Sequence, residues 1–339
     1  MRIYFDGVDF GSRTGPNSFA LRLARQLSLM GHTVADPDDY DVALVFVEAT
    51  PRLNLRRPYV HRLDGFWMKP SEFESGRNAG IKATYDRASA VVWQSEFDRD
   101  MALRWFGRPV GFEPLRYDWS DHDSLALSRV IPNGVPIRAR AELSAGLQTL
   151  PIRAEHDEVF VCSANWHPQK RLAANIQFFR QVRRDPRRSC LIVLGAHPDV
   201  VVRSTPDDRI FYAGSLQHDE CLALYSIADW MIHLAWLDHC PNTVVEALSV
   251  GTPIVCSPAG GTIELLGEEP NDGDLIRGLA ILENPHDLTL ADYDHPPDIS
   301  SIIATMDHLP RPFPQFSVDN LSIEACALKY VSVMEGACR

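Results

Sequence analysis

Short apolar runs recur along this chain, and each is followed by a polar or helical stretch. In the first part of the sequence they are Arg2 to Phe5, DVALVFV (41–47), PYVHRL (58–63), ASAVVWQ (88–94) and SRVIPNG (128–134). Runs this short and this apolar are typical of strands that are covered on both faces, as in a parallel sheet flanked by helices. The pattern therefore predicts an α/β fold.

The first run opens a strand–loop–helix unit. A loop with Gly7, Gly11 and Gly15 follows the strand, and residues 18–34 (SFALRLARQLSLMGHTV) then carry apolar side chains at near-helical spacing. Gly31 stands where the glycine that ends a helix belongs. A strand, a glycine loop and a helix form the first unit of a doubly wound domain.

A second series of the same kind begins after a linker at about residues 136–156. It predicts strands at 158–164, 190–196, 209–214, 230–235 and 253–258, with helices at 172–184, 218–228 and 242–251. Residues 284–315 are rich in Asp and Pro and are predicted as loop. The last apolar stretch, SIEACALKYVSVMEGA (322–337), predicts a terminal helix.

The length of the chain indicates more than one domain, because 339 residues exceed what one hydrophobic core usually serves. We predict two Rossmann-like, doubly wound domains that face each other, at residues 1–140 and 141–315. Residues 316–339 would form a terminal helix that packs back towards the first domain.

The charge of the chain is unevenly distributed. The net charge is −12, but residues 1–140 carry 19 Lys and Arg against 18 Asp and Glu, a balance of +1, whereas residues 141–339 carry 14 against 27, a balance of −13. The acidic second half disfavours broad binding to a nucleic-acid backbone. The near-neutral first half, with Arg52, Arg56 and Arg57, admits an anionic partner.

Cysteine usage and hydropathy exclude several classes of protein. The seven cysteines are odd in number, widely spaced and without a CxxC pair, so they indicate neither a disulfide framework nor a zinc site. No apolar run reaches the roughly 18 residues of a membrane span, and the N-terminus lacks the features of a signal peptide. We expect a cytoplasmic protein without an integral membrane segment.

The segment with the clearest chemistry is DHCPNTVVEALSVGTPIV (238–255). Asp238 stands in a polar turn after an apolar strand, a helix begins near Asn242, and Glu246 follows about one turn later. A helix start offers backbone N–H groups and a positive dipole to an anion, and a carboxylate accepts hydrogen bonds from ribose or sugar hydroxyls. The segment therefore outlines a nucleoside-diphosphate site. The alternative is that Asp238 merely precedes a helix and Glu246 is a solvated helix residue.

A longer block, DHCPNTVVEALSVGTPIVCSPAGGTIELL (238–266), resembles the C-terminal signature of the family-4 retaining glycosyltransferases of the GT-B fold (glycosyl transferases group 1). That signature pairs two acidic residues eight positions apart. Further segments are similar to the family and stand in its order: GPNSFALRLARQLSLMGHTV (15–34), VIPNGVP (130–136), NWHPQKRL (165–172) and RIFYAGSLQHDECLALYSIADWMIHLA (209–235). In two departures, Asp238 stands where the family usually has Glu, and Ala164 stands where it commonly has Arg.

The resemblance implies roles for individual residues. Lys170 matches the basic residue that contacts the donor phosphate, Asp238 the residue near the donor sugar, and Glu246 the group that accepts from the nucleotide ribose. Gly15 matches the glycine loop beneath the diphosphate.

The resemblance also implies that backbone amides near Asn242, Thr243 and Val244 complete the phosphate and sugar site. Either Arg171 or Arg62 would supply the charge that is missing at Ala164.

In the first domain, His61, Arg62 and Asp64 are predicted to follow a strand end, where sites of open α/β sheets lie. Similar transferases place a polar residue here beside the donor sugar or the acceptor. His61 is therefore a candidate catalytic residue, and Arg62 and Asp64 are candidate sugar or acceptor contacts. The alternative is that Arg62 and Asp64 form a local pair. Ser95 is predicted to cap the next helix.

The function implied by the resemblance is that of a retaining hexosyltransferase. It would transfer a hexose or related sugar from a nucleotide-diphosphate sugar, a UDP-sugar in preference to a GDP-sugar, to an unidentified acceptor: a glycan, a lipid or a small molecule, and less readily a modified base in DNA. No DxD motif follows the nucleotide strand, so no metal ion or cofactor is expected, and Lys170 with the helix start near Asn242 would stabilise the departing diphosphate.

Two other classes of function stay open at this point. One is a sugar-nucleotide epimerase or a phosphorylase on the same fold. The other is a non-catalytic module that binds sugar nucleotides or nucleic acid.

Overall fold

The computed structural model describes residues 1–12, 14–107, 128–138, 143, 152–196, 206–267, 277–281, 290–310 and 313–339. It divides into two compact units. The first is formed by Met1–Val135 together with Asn320–Arg339, and the second by Pro136–Asp319. Parts of the predicted linker at 136–156 and of the predicted loop at 284–315 lie outside the described residues.

The first unit is built on a parallel sheet. In chain order, its described strands are β1 (Arg2–Asp6), β2 (Thr33–Val34), β3 (Val42–Phe46), β4 (Tyr59–Leu63), β5 (Ala90–Trp93) and β6 (Arg129–Val130). The strands lie side by side in the order β2-β1-β3-β4-β5-β6, and each pairing between them is parallel. Every residue of β3, β4 and β5 is buried, as expected for strands with both faces covered.

Helices on this sheet follow the predicted alternation. Those that the structure describes between Met1 and Val135 are α1 (Gly15–Leu29), α2 (Pro70–Glu74), α3 (Ala79–Arg87) and α4 (Glu96–Trp105). Gly31 adopts a φ of 87° just after α1, which confirms it as the glycine that ends this helix. Ser95 is confirmed as the cap of α4, because its Oγ accepts a 3.1 Å hydrogen bond from the Asp98 amide. Gly15 is predicted to lie in a loop, but in the structure it opens α1, and Pro16 beside it is preorganised for a first helical turn.

The core of the first unit is completed by the end of the chain. After the second unit, the chain returns to the first as the terminal helix, Ile323–Ala337. Its buried face packs in the same apolar cluster as Phe19 and Leu23 of α1, and the rings of Tyr330 and Phe19 lie 6.0 Å apart. The first unit is therefore discontinuous in sequence.

The second unit repeats the architecture on its own parallel sheet. Its described strands are β7 (Glu158–Ser163), β8 (Ser189–Leu194), β9 (Ile210–Gly214), β10 (Trp230–His233), β11 (Ile254–Cys256) and β12 (Gly278–Ala280). They lie in the order β12-β11-β10-β7-β8-β9, with parallel pairing throughout. The α/β class and the two doubly wound sheets predicted from the sequence are confirmed.

The described helices of the second unit are, in chain order, αA (Ile152–Glu155), αB (Leu172–Val182), αC (His218–Ile227), αD (Asn242–Ser249) and αE (Ser300–Ile303). The start of αD at Asn242 agrees with the prediction. The segment predicted as loop is not all irregular, because it contains a 3₁₀ turn at Leu290–Tyr293 as well as αE. Ile299 and Ile303 are buried in the core of this unit, and this packing orders a stretch that its Asp and Pro content alone would leave irregular.

Within the described part of the chain, no helix combines the length and the apolar character needed to cross a bilayer.

The packing of the terminal helix predicts a contrast between two substitutions. Met334 is fully buried, so Met334→Ala should lower the free energy of unfolding of the first unit by about 2 to 5 kcal/mol. Leu328 is 61% exposed on the same helix, and Leu328→Ala should change this free energy of unfolding by less than about 0.5 kcal/mol. Urea unfolding followed by fluorescence measures both. Equal effects of the two substitutions would contradict the packing described for this helix.

Candidate functional site

Two of the sequence-predicted residues, Lys170 and Asp238, meet at the carboxyl edge of the second sheet. Lys170 lies in the loop after β7, and Asp238 lies in the loop after β10, the neighbour of β7. The carboxyl ends of parallel strands point to the same edge of a sheet, and ligand sites of open α/β domains lie there. A ligand site of the second unit is therefore expected at this edge of its sheet.

Lys170 is held by a tight turn. It ends the 3₁₀ turn Pro168–Lys170, and its amide donates to the His167 carbonyl oxygen at 2.8 Å. Asn175 of αB donates its side-chain amide to the carbonyl oxygens of Lys170 and Arg171, at 3.1 and 2.8 Å. The Asn175 Oδ1 atom accepts from the Leu234 amide at 3.3 Å. This one side chain ties the Lys170 loop to the end of β10.

The turn that carries Asp238 is fixed against the loop after β11. Leu237 adopts a left-handed φ of 56°, and its amide donates to the Ala259 carbonyl oxygen at 3.2 Å. The Asp238 carbonyl oxygen accepts from the Gly261 amide at 2.8 Å. A Cβ atom on Gly260 would lie 2.6 Å from the Asp238 carbonyl oxygen, so the close approach of the two loops requires glycine there.

The side chains of Lys170, Asp238 and His233 form a charged cluster. Lys170 Nζ contacts Asp238 Oδ2, and His233 Nε2 lies 3.1 Å from the same oxygen. The Lys170 and Asp238 side chains are 20% and 13% exposed, whereas the His233 side chain is 3% exposed. The ion pair thus stays open to solvent on one side, and the histidine closes the other.

The cluster shifts the titration of two of its members. Burial would raise the pKa of the Asp238 carboxyl, but the Lys170 ammonium and His233 outweigh it and hold this pKa well below its ordinary value. Burial lowers the pKa of His233, helped by the Lys170 charge and opposed by Asp238. Near neutral pH, Asp238 is therefore ionised and His233 is neutral.

The start of αD lies in the segment after Asp238. Pro241 is the residue that precedes the helix, and its side chain forms no capping hydrogen bond. The amides of Val244 and Val245 donate to the Pro241 carbonyl oxygen at 3.1 and 3.2 Å, while Asn242 and Thr243 are half-buried. The positive end of this helix can stabilise an anion.

Glu246 stands one turn into αD and is almost fully buried. Its Oε1 atom lies 3.7 Å from Nδ1 of His218, the first residue of αC. Glu246 is thus directed towards αC, and it is not the solvated helix residue of the alternative interpretation.

Arg171 lies next to Lys170, but its side chain runs elsewhere. One Nη2–H donates to the Pro297 carbonyl oxygen at 3.1 Å, and the guanidinium carbon lies 5.0 Å from the centre of the Trp236 indole. The Arg171 side chain therefore packs against the segment that follows the Leu290–Tyr293 turn.

In the first unit, one expectation about position is wrong. His61 and Arg62 do not follow the end of a strand, because β4 runs through Leu63 and both residues are buried within it. His61 Nε2 lies 2.9 Å from the Val47 carbonyl oxygen, and burial lowers the pKa of His61 to about 4. His61 is therefore neutral, with its Nε2–H directed at a backbone acceptor.

Arg62 and Asp64 pair with each other, as the local-pair alternative had it. The Arg62 guanidinium carbon lies 4.4 and 5.0 Å from the ring centres of Phe19 and Phe46, and an Nη2–H donates to Asn133 Oδ1 at 2.6 Å. This arrangement pairs the charge of a fully buried arginine within the first unit.

Sequence reasoning missed His233 and Asn175. His233 is the one ionisable residue in the apolar strand Trp230–His233, and a lone histidine at the carboxyl end of such a strand was the available signal. Asn175 had no such signal, because nothing in the sequence distinguishes it from other polar helix residues. Its role is evident only from its three hydrogen bonds in the structure. Within the described ranges, no cluster of three or more His, Cys, Asp or Glu side chains is arranged to hold a metal ion.

Comparison with known proteins adds family context. Residues 151–278 match the glycosyl transferases group 1 family. The O-antigen chain mannosyltransferase B of Escherichia coli is 23% identical over 210 residues, which cover 58% of this chain and 51% of that protein. The similarity thus spans about half the length of that relative.

Solved structures share the fold over almost the whole chain. HepE of Anabaena, determined in complex with UDP-glucose, matches with a TM-score of 0.59 and 18% identity over 99% of this chain and 98% of its own. The sucrose-phosphate synthase of Thermosynechococcus elongatus matches with a TM-score of 0.64 and 16% identity over 98% of each chain. The GT-B fold predicted from the sequence is confirmed.

The close approach at Gly260 predicts a sensitive backbone position. Gly260→Ala should cost about 1 to 3 kcal/mol or more of stability, because the φ of 109° is strained for alanine and the new Cβ meets the Asp238 backbone. Gly214→Ala is the matched control, since Gly214 also has a positive φ but a Cβ there meets no atom within 4 Å. Calorimetric unfolding compares the two. A Gly260→Ala effect no larger than that of the control would contradict the role of this contact.

Proposed function

We propose that this chain, which carries a glycosyl transferases group 1 domain, is a retaining glycosyltransferase that uses a nucleoside-diphosphate sugar. The observation that carries the proposal is the meeting of Lys170 with Asp238 at the carboxyl edge of the second sheet. The start of αD and the buried Glu246 belong to the segment that directly follows Asp238. Together these groups offer a cation, a helix N-terminus and two carboxylates, which match the diphosphate and hydroxyl groups of such a donor.

The proposed donor is a UDP-sugar in preference to a GDP-sugar. Its support is the structure of HepE, which shares the fold and was determined with UDP-glucose. We place the chain among the family-4 enzymes on the paired acidic residues Asp238 and Glu246 and propose that Glu246 accepts from the ribose. The first unit would bind the acceptor: a glycan, a lipid or a small molecule, and less readily a modified base in DNA.

The proposed reaction exchanges one bond at the anomeric carbon for another. The bond from this carbon to the diphosphate oxygen breaks, and its electron pair stays on that oxygen. The acceptor hydroxyl oxygen bonds to the same carbon, on the same face in a retaining enzyme, and the departing phosphate oxygen takes up the hydroxyl proton. Negative charge grows on the diphosphate, and the Lys170 ammonium with the αD N-terminus would stabilise it.

Charge balance within the site supports this role for Lys170. Lys170 and Asp238 form a pair with no net charge, so a diphosphate competes with Asp238 for the ammonium. The competition favours the more highly charged partner, and the diphosphate gains charge as the glycosyl bond breaks. Lys170 would therefore contribute more to the transition state than to donor binding, and this chain's own cations would serve without a metal ion.

A panel of donors tests the proposal. We expect slow release of UDP from one or more UDP-sugars in preference to GDP- and ADP-sugars, and release should continue in excess EDTA. Loss of release in EDTA, restored by magnesium or manganese, would contradict metal independence. A changed sugar on an intact diphosphate would instead indicate an epimerase.

Lys170→Ala should lower kcat for transfer or donor hydrolysis by about 100- to 1,000-fold, the range found when one preorganised electrostatic contact is removed. Donor affinity should fall less. Lys82→Ala is a matched control, because Lys82 also forms a lysine–aspartate pair, with Asp86 at 2.7 Å, but lies on α3 of the first unit. A near-normal kcat in the folded Lys170→Ala variant would contradict the proposed role of Lys170.

A further inference from the structure

The side chain of His233 is an unusual occupant of its position. It ends the strand β10, whose other residues Trp230, Met231 and Ile232 are apolar and buried like it. A buried imidazole that makes no hydrogen bond is destabilising, and an aliphatic side chain would pack in such a strand without that cost. The bond between His233 and Asp238 is therefore the feature that accounts for a histidine here.

The proton in this bond belongs to His233. The Asp238 carboxylate is ionised and can only accept, so the Nε2 atom that faces it must carry a hydrogen. Burial, together with the Lys170 charge, keeps the pKa of His233 below its ordinary value, so the ring is neutral near pH 7. His233 thus donates through Nε2–H without adding a second positive charge beside Lys170.

Both donors act on one oxygen of Asp238. Lys170 Nζ and His233 Nε2 contact Oδ2 from two elements, the loop after β7 and the end of β10. The backbone of Asp238 is held separately by its bridge to Gly260. With the backbone and Oδ2 both fixed, the carboxylate plane cannot turn freely, and Oδ1 keeps one direction.

We propose that His233 is a positioning residue of the donor site, which holds Asp238 so that Oδ2 pairs with Lys170 and Oδ1 is presented to a hydroxyl of the donor sugar. The inference rests on the proposed function. The short Asp238 side chain places Oδ1 only where its backbone and Oδ2 are held. His233 supplies this hold from the strand.

Two substitutions of His233 separate positioning from packing. His233→Leu removes the donor, whereas His233→Gln keeps a side-chain N–H at a reach similar to that of Nε2. We expect His233→Leu to lower kcat for donor hydrolysis about tenfold or more, the size of one hydrogen bond to a charged group. His233→Gln should retain kcat within about threefold. UDP affinity, measured by calorimetry, should stay within about twofold in both, because UDP lacks the sugar that Oδ1 would contact.

The control is His156→Leu, which also removes a buried imidazole of the second unit. His156 lies before the amino end of β7, and its Nδ1 is 3.0 Å from the Ile152 carbonyl oxygen. Its substitution should leave kcat unchanged. An unchanged kcat in His233→Leu, or equal losses of kcat and UDP affinity in His233→Leu and His233→Gln, would overturn the positioning role.

Nitrogen NMR of the histidine rings tests the inference without any donor. The His233 signal, identified by its loss in His233→Gln, should report a neutral ring with hydrogen on Nε2 at pH 7, and Asp238→Ala should shift it. A charged ring or an Nδ1–H tautomer would overturn the inference. If this signature is found but the wild-type protein neither binds UDP nor hydrolyses any donor, the proposed function fails while the hydrogen bond stands.

Discussion

Parallel strand pairing is the constraint on which the rest of this structure depends. In each unit, the described strands run in one direction, so all their carboxyl ends lie at one edge. Residues far apart in sequence then meet there without any local signal. Lys170 and Asp238 are 68 positions apart, yet the adjacency of β7 and β10 brings their side chains into contact. The sheet order thus determines which charged groups can act together.

Two polar clusters in the protein differ in their exposure to solvent. Arg62 lies between aromatic rings and is bonded to Asp64 and Asn133, so its charge is balanced and enclosed within the first unit. Lys170 and Asp238 are also paired, but their side chains keep 20% and 13% of their surface open to solvent. A closed pair contributes to the uniqueness of a core, whereas a partly open pair can exchange one partner for a ligand. This difference is consistent with the donor site that we propose for the second unit.

The sequence predicted the elements better than it predicted their contacts. Apolar runs such as VALVF at 42–46 and the glycine at 31 carry their structural meaning locally, and both were interpreted correctly. His61 and Arg62 are predicted to follow a strand end, where sites of open α/β sheets lie, but β4 runs through Leu63 and includes both. Their partners, Val47 and Asn133, are 14 and 71 positions away, so no local pattern could show that both residues are hydrogen-bonded inside the first unit. His233 was missed for the same reason, since its hydrogen bond depends on the turn that brings Asp238 close to it.

The split of the first unit between Met1–Val135 and Asn320–Arg339 has a consequence for biosynthesis. The ribosome completes the second unit before it makes the helix that fills the first unit's core. Until then, Phe19 and Leu23 lack the side chains of Tyr330, Val333 and Met334 that cover them in the folded protein. The first unit therefore leaves this apolar surface uncovered until the last residues of the chain are made, and such a transiently exposed surface is prone to aggregation.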